Sequence, residues 1–200
     1  MANKPYHHGD LKRELIREGR CLLNDDGYEG FSLRKLSRRL GVSAAAPYRH
    51  FRTKEALCEA IVDDAFSKFA DALESSESEG IPLREQLLRM CIRYIRFFVE
   101  HPDILKILFI EVGNRDATLT SMHPDRDLAQ TYRNIRAFSV LSDLAERIAG
   151  EEPQVNADEL VLTAWSRVHG LAVLLSQETW LIRSDNVTDD ALRRMIRTVL

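Results

Sequence analysis

The stretch 32–54, SLRKLSRRLGVSAAAPYRHFRTK, constrains this chain more than any other part of it. Leu33, Leu36 and Leu40 stand at i, i+3 and i+7, the spacing of one buried helix face, and Ser32 is placed to cap the start. Gly41 closes that helix, and Ser43 caps a short third one after a three-residue turn. Pro47 can be accommodated four positions after that cap. There it forfeits only the first backbone bond, and it keeps the helix short. Basic and hydroxyl side chains crowd the helix ends. Two short helices arranged in this way set one of them end-on against a groove flanked by phosphates, so the segment points to duplex DNA as its partner.

Charge divides the chain in the same sense. The 200 residues carry a net charge of −3, which by itself does not suggest a polyanion partner. Residues 1–55, however, hold twelve Lys/Arg against seven Asp/Glu, a net of +5, and the remainder has a net of −8. A basic head on an acidic body engages a polyanion at one end only. The 44% hydrophobic content can bury a core in one elongated domain or two small ones. Cys21, Cys58 and Cys91 lie far apart without CxxC spacing and read as buried reduced thiols. No apolar run reaches the roughly 18–20 residues of a membrane span. The N-terminus MANKPYHHGD has no apolar signal core, so a soluble, cytoplasmic chain without a membrane partner is expected.

Helix punctuation recurs from end to end. Asp10 caps a first helix reaching about Asn24 and ended at Gly27; Leu11, Leu15, Leu22 and Leu23 form its stripe, and Gly19 permits a close approach. Thr53 caps a long fourth helix, with Leu57, Ile61, Ala65 and Phe69 at i+4 steps, ending near Glu74. After the polar loop 75–80, Pro82 opens a helix to His101 and Pro102 restarts one through about Val112. Residues 113–124 read as loop. A helix from roughly Asp125 to Ala149 is stopped by Gly150, Asn156 caps a run to about Ile182, and Thr188 opens a last helix. In the helix from Pro82, Leu87, Cys91, Tyr94 and Phe98 share one face, and Leu88, Ile92, Ile95 and Val99 another. That pattern places it between neighbours inside the body. Leu160, Ala164, Val168, Leu171 and Leu175 make a continuous stripe, Gly170 allows a close helix approach, and Leu192, Met195, Ile196 and Val199 form a second apolar face.

The third helix offers Ala44, Ala45 and Ala46 to the groove. Alanine can touch only a thymine methyl or allow close approach, so hydrogen-bonded readout from these positions is sparse. Arg34 and Arg49 have the reach for base edges. Ser32, Ser43, Tyr48, His50 and Lys54 are spaced as phosphate contacts. Arg38 and Arg39 fit a solvated face as well as a contact. Catalytic patterns are missing: HExxH, a P-loop and a dinucleotide fingerprint do not occur, and the histidines have no companions at metal-ligand spacing, so no metal, cofactor or enzymatic activity is expected.

The pattern Gly27-Tyr28, then Ser32-Leu-Arg-Lys-Leu36, Gly41-Val-Ser43 and the block from Tyr48 through His50, Phe51 and Lys54 to Leu57 resembles the DNA-binding domain of TetR/AcrR-family transcriptional repressors over residues 9–62. By that resemblance Arg34 holds a guanine-contact position, Tyr48, His50 and Lys54 grip phosphates, Ser32 holds the hydroxyl position at the start of the second helix, and Ala45 and Ala46 face the groove. Other members often carry polar residues at those two positions, which leaves the operator sequence open. The segment Trp165-Ser-Arg-Val-His169-Gly170 is similar to the Trp-x-x-x-His-Gly segment of one subgroup.

The resemblance implies an all-α fold of about nine helices, with a helix-turn-helix head over 1–55 and a ligand-binding and dimerisation body over 56–200. It further implies a homodimer sealed by the last two long helices, a palindromic double-stranded operator, and an unknown small, mostly apolar effector. Tyr94, Phe98, Leu108, Phe109, Tyr132, Phe138, Trp165 and His169 are the expected pocket residues, although ordinary core is the commoner role for any single one of them. The fourth helix is the natural lever between head and body. An activator, an architectural factor without a small-molecule switch, and a body with an unrecognised catalytic site are the alternatives.

Overall fold

Side-chain caps at helix starts punctuate the fold; the structure is a computed structural model that describes residues 11–74, 80–111, 136–176 and 187–197. Among these residues there are eight α-helices and no strand. They are α1 (Leu11–Gly30), α2 (Leu33–Leu40), α3 (Lys54–Glu74), α4 (Leu83–Glu100), α5 (Pro102–Leu105), α6 (Arg136–Glu151), α7 (Ala157–Ser176) and α8 (Asp189–Arg197). A 3-10 turn, Pro47–Arg49, lies between α2 and α3, and a π-helical segment, Lys106–Glu111, follows α5. Ser32 accepts from the Lys35 amide at 3.2 Å, Thr53 from Ala56 at 3.2 Å, Asn156 from Glu159 at 3.0 Å and Thr188 from Ala191 at 3.2 Å. Each of these four caps is at the position expected from the sequence. The expected cap Asp10, the start at Asp125, the end at Ile182 and Val199 lie outside the described residues.

The chain divides into two compact units, Met1–Ala65 with Lys106–Arg115 and Phe66–Leu105 with Asp116–Leu200. In the first, Leu15, Leu36, Leu57 and Ile61 are fully enclosed, with Leu11, Leu22, Leu23, Phe31, Leu33 and Phe51 around them. Gly19 permits the packing of α1: a Cβ there would stand 2.8 Å from Ile61 Cδ1 and 3.7 Å from Leu36 Cδ2. Lys106 Nζ donates to the Asn24 carbonyl at 2.7 Å, fastening the π-helical segment to α1.

Gly41 ends α2 with φ 68°, and the Val42 amide closes onto the Ser37 carbonyl at 3.0 Å. A side chain at this left-handed position costs about 1–2 kcal/mol. Gly41→Ala is therefore expected to lower the free energy of unfolding by that amount, read as a lower denaturation midpoint, although no neighbour lies within 4 Å of the added methyl. An unchanged midpoint would show that this turn does not need the left-handed conformation.

Two expected boundaries are corrected. The short third helix is instead a turn over 44–46 leading into the 3-10 turn. Pro47 has no amide to reach back four residues, so the bonds made are three-residue ones: Ala46 to Ser43 at 3.0 Å, Arg49 to Ala46 at 3.2 Å and His50 to Pro47 at 3.0 Å. Gly150 does not stop α6, which continues to Glu151 and ends before Pro153, a residue that disfavours helical geometry in the position preceding it.

In the second unit α4 is the central helix. Both faces read from its sequence are buried, apart from the half-buried Val99, and it packs against α6, α7 and α8. Glu85 receives Arg193 at 2.8 Å, and Arg96 holds Asp189 at 2.8 Å and the Val187 carbonyl at 2.7 Å, so α8 is tied to α4 at both ends. The Arg193 hydrogen bond, supported by Arg89, holds the Glu85 carboxyl below its usual range. Cys58 and Cys91 are buried and Cys21 half-buried, all as free thiols, and burial pushes Cys91 up to about 12. No described helix is long and apolar enough to cross a membrane.

Candidate nucleic-acid interface and aromatic cluster

The head residues singled out by sequence come together on an exposed edge. Ser43, Ala44, Ala45, Tyr48, Arg49 and His50 are exposed, Tyr48 at 53%, while their neighbours Pro47 and Phe51 are buried and anchor the turn. Ala46 is half-buried. Ser32 spends one lone pair on the α2 cap and keeps its hydroxyl proton for an acceptor. Arg34 is exposed and makes no side-chain hydrogen bond or ion pair among the described residues.

Lys54 is placed differently from a free cation. Its Nζ donates to the Tyr28 carbonyl and sits 3.7 Å from the centre of the Tyr28 ring. The Tyr28 hydroxyl in turn donates to Glu55 at 3.0 Å, one cause of that carboxyl's lowered pKa after its own backbone hydrogen bond. Gly27, at φ 64°, turns the chain so that Tyr28 can reach the start of α3. Sequence reasoning recorded the Gly-Tyr pair only as a pattern and gave no sign of this contact.

In the second unit, Tyr94 from α4 meets Trp165 and His169 from α7. Trp165 Nε1–H donates to the Tyr94 hydroxyl at 3.2 Å, and that oxygen lies 2.9 Å from His169 Nδ1. The phenol oxygen accepts from the indole, which can only donate, and shares a second hydrogen bond with Nδ1 whose direction follows the imidazole tautomer. Burial pushes the His169 pKa down and that of Tyr94 up, which keeps both neutral. Phe98 packs against Tyr94 at 5.0 Å, and Phe138 stands edge-on to Trp165 at 6.1 Å. Phe69 and Phe97 complete the cluster, with Phe69 4.7 Å from Phe98 and 5.3 Å from Phe97. Phe69 was legible as a core position, whereas Phe97 falls between the two faces read for α4. Of the remaining expected pocket residues, Leu108 is buried in the first unit, and Tyr132 and the Phe109 side chain lie outside the described residues.

The lowered His169 pKa sets a pH dependence. Below about pH 6.5 the unfolded chain takes up a proton that the folded chain withholds, so stability falls as pH falls. Glu85 and Glu152, whose pKa values are lowered by their arginine partners, add losses only below their usual carboxylate range. The melting temperature is expected to drop between pH 7 and 5.5, and His169→Gln is expected to flatten that slope. Equal slopes in the two proteins would contradict the assignment.

A head of short helices with an exposed, hydroxyl- and arginine-edged turn, and an all-helical unit built on a buried aromatic cluster, define the class of helix-turn-helix regulators. Residues 15–61 match the bacterial regulatory proteins of the tetR family, and residues 87–199, more than half of the chain, match the tetracyclin repressor-like C-terminal domain. The chain belongs to the TetR family of transcriptional regulators. It is 48% identical over 54 residues to the tetracycline repressor protein class C of Escherichia coli, covering 26% of this chain and 25% of that protein. With an uncharacterized HTH-type transcriptional regulator of Haemophilus influenzae it shares 30% identity over 99 residues, covering 50% and 53% of the two chains. The matches thus span a quarter to about half of these curated relatives. Among solved structures, a protein with unknown function from Rhodococcus sp. RHA1 superposes with TM-score 0.69 at 25% identity, covering 98% of this chain and 99% of that one. A TetR family transcription regulator from Marinobacter aquaeolei VT8 gives TM-score 0.71 at 20% identity, covering 96% and 94%, a likeness of fold alone.

Proposed function

We propose that this regulator is a repressor that binds a palindromic operator as a homodimer in the cytoplasm and is released by a small, mostly apolar effector. Residues 1–55 serve DNA binding and 56–200 effector binding and dimerisation. The observation that carries the reading is the exposed edge itself: Ser43, Ala44, Ala45, Tyr48, Arg49 and His50 stand outside a tightly packed head, and the exposed Arg34 side chain has no partner among the described residues. In this reading Arg34 and Arg49 reach base edges, and Ser32, Ser43, Tyr48 and His50 hold phosphates. Lys54 joins them with its ammonium oriented by Tyr28, and Ala44, Ala45 and Ala46 allow close approach.

Dimerisation is supported by α7 and α8. Leu162 and Leu174 are 63% and 49% exposed and Met195 37%, and a Cβ on Gly170 would meet nothing within 4 Å in its own chain. Arg167 donates to the Met195 carbonyl at 2.9 Å, joining the two helices that carry these groups. An apolar strip of this kind is what a self-complementary helix pair covers. For the effector, Phe138, Trp165 and His169 are only half-buried around the enclosed Tyr94 and Phe98, which offers rings to an apolar molecule. A coupling of about 1–3 kcal/mol between effector and operator would change DNA affinity about 5–150-fold.

Selection of bound duplexes from a random pool tests the reading. The expected result is an inverted repeat with half-sites about 34–36 Å, one DNA turn, apart. Recovery of an unrelated single site, or of no enriched sequence, would contradict it.

A further inference from the structure

The four basic side chains of α2 separate into two flanks. At about 100° per residue, Leu33, Leu36 and Ser37 turn inward, Arg34 and Arg38 share one flank of the exposed half, and Lys35 and Arg39 share the other. The second flank faces α1 and is neutralised by it. Lys35 Nζ lies 3.0 Å from Asp26 and 3.1 Å from the Gly30 carbonyl, and Arg39 lies 2.9 Å from Asp25 and 3.3 Å from Glu18. The first flank turns away from those carboxylates. Arg34 and Arg38 are both exposed, and neither makes a side-chain hydrogen bond or ion pair among the described residues.

We propose that Arg38 is a second DNA contact on α2, gripping a backbone phosphate beside the groove that Arg34 enters, while Lys35 and Arg39 hold α2 on α1 and take no part in binding. The inference rests on the head being the DNA-binding surface. The helix preceding an inserted segment crosses the phosphate backbone, which puts an outward cation of that helix near phosphates. A guanidinium meets a phosphate with two parallel hydrogen bonds, and no competing carboxylate has to be displaced from Arg38. Arg34 and Arg38 are one helical turn apart, about 6 Å along the axis. Nucleotides recur every ~3.4 Å along a strand, so the pair spans about two of them, enough for one base contact and one backbone contact. A cation already matched by two carboxylates, as Arg39 is, has little counterion release to offer. The three alanines at the turn make this division matter, because they supply no charge of their own.

The test compares wild type, Arg38→Gln and Arg39→Gln on a duplex recovered by random-pool selection and on base-substituted versions of it, at 50 and 200 mM salt. Loss of one phosphate contact lowers the slope of log affinity against log salt by about 0.9. Arg38→Gln is therefore expected to weaken every duplex alike and to lose about 3.5-fold less affinity than wild type across that fourfold salt range. Arg39→Gln is expected to keep the wild-type slope. An unchanged slope for Arg38→Gln, a changed base preference in that variant, or equal slope losses in both variants would overturn the proposal. Wild type that binds no duplex would end the DNA reading as a whole, whereas wild-type binding with a silent Arg38→Gln sinks this inference alone. Melting curves serve as the folding control, and Arg38, exposed and unpartnered among the described residues, is expected to leave them unchanged.

Discussion

Replacing Phe98 by alanine is expected to remove about 3–5 kcal/mol from the stability of the second unit, the largest loss of any single change considered. The ring is 0% exposed and packs against Phe69 at 4.7 Å, Tyr94 at 5.0 Å and Phe97 at 5.2 Å. Aromatic pairs at such separations add to the area term, and a void left among rigid rings collapses poorly. Domains typically hold only about 5–15 kcal/mol in total, so the variant is expected to be unfolded or close to it at moderate denaturant. Chemical denaturation of wild type and variant reads the difference. A loss below about 1 kcal/mol would mean that space already exists beside the ring, and would move Phe98 from core to pocket wall.

Arg34→Ala is expected to act on DNA and not on folding. The side chain is exposed and without a partner among the described residues, so the melting temperature is expected to stay near the wild-type value. Loss of a bidentate arginine–guanine pair costs about 1–3 kcal/mol, about 5–150-fold in affinity, and relaxes preference at one base pair. Ranking a panel of single-substitution operators with both proteins separates base reading from simple attraction. If the ranking survives the substitution, Arg34 reads no base.

The difference between what was legible and what was not follows from the range of each interaction. Caps at Ser32, Thr53, Asn156 and Thr188 depend on groups three residues apart, and the left-handed stop at Gly41 depends on one residue, so local chemistry settles them. The same locality failed at Pro47, because loss of one amide changes the bonding of the whole turn to a three-residue pattern that helix spacing does not encode. Pairings set by packing were hidden. Nothing in the spacing of Lys35 and Arg39 assigns them to Asp26, Asp25 and Glu18, and Lys54 next to Tyr28 depends on how α1 meets α3. Tyr94, Trp165 and His169 were each singled out as pocket residues. The hydrogen bonds that join them required α4 and α7 to be seen side by side.

Affinity of the wild-type protein for duplex DNA at 50 and 200 mM salt tests the central claim most directly. Engagement of phosphates by the head is expected to give clear binding at the lower salt and a steep loss of affinity at the higher one. Absence of binding to any duplex at low salt, or an affinity indifferent to salt, would contradict it.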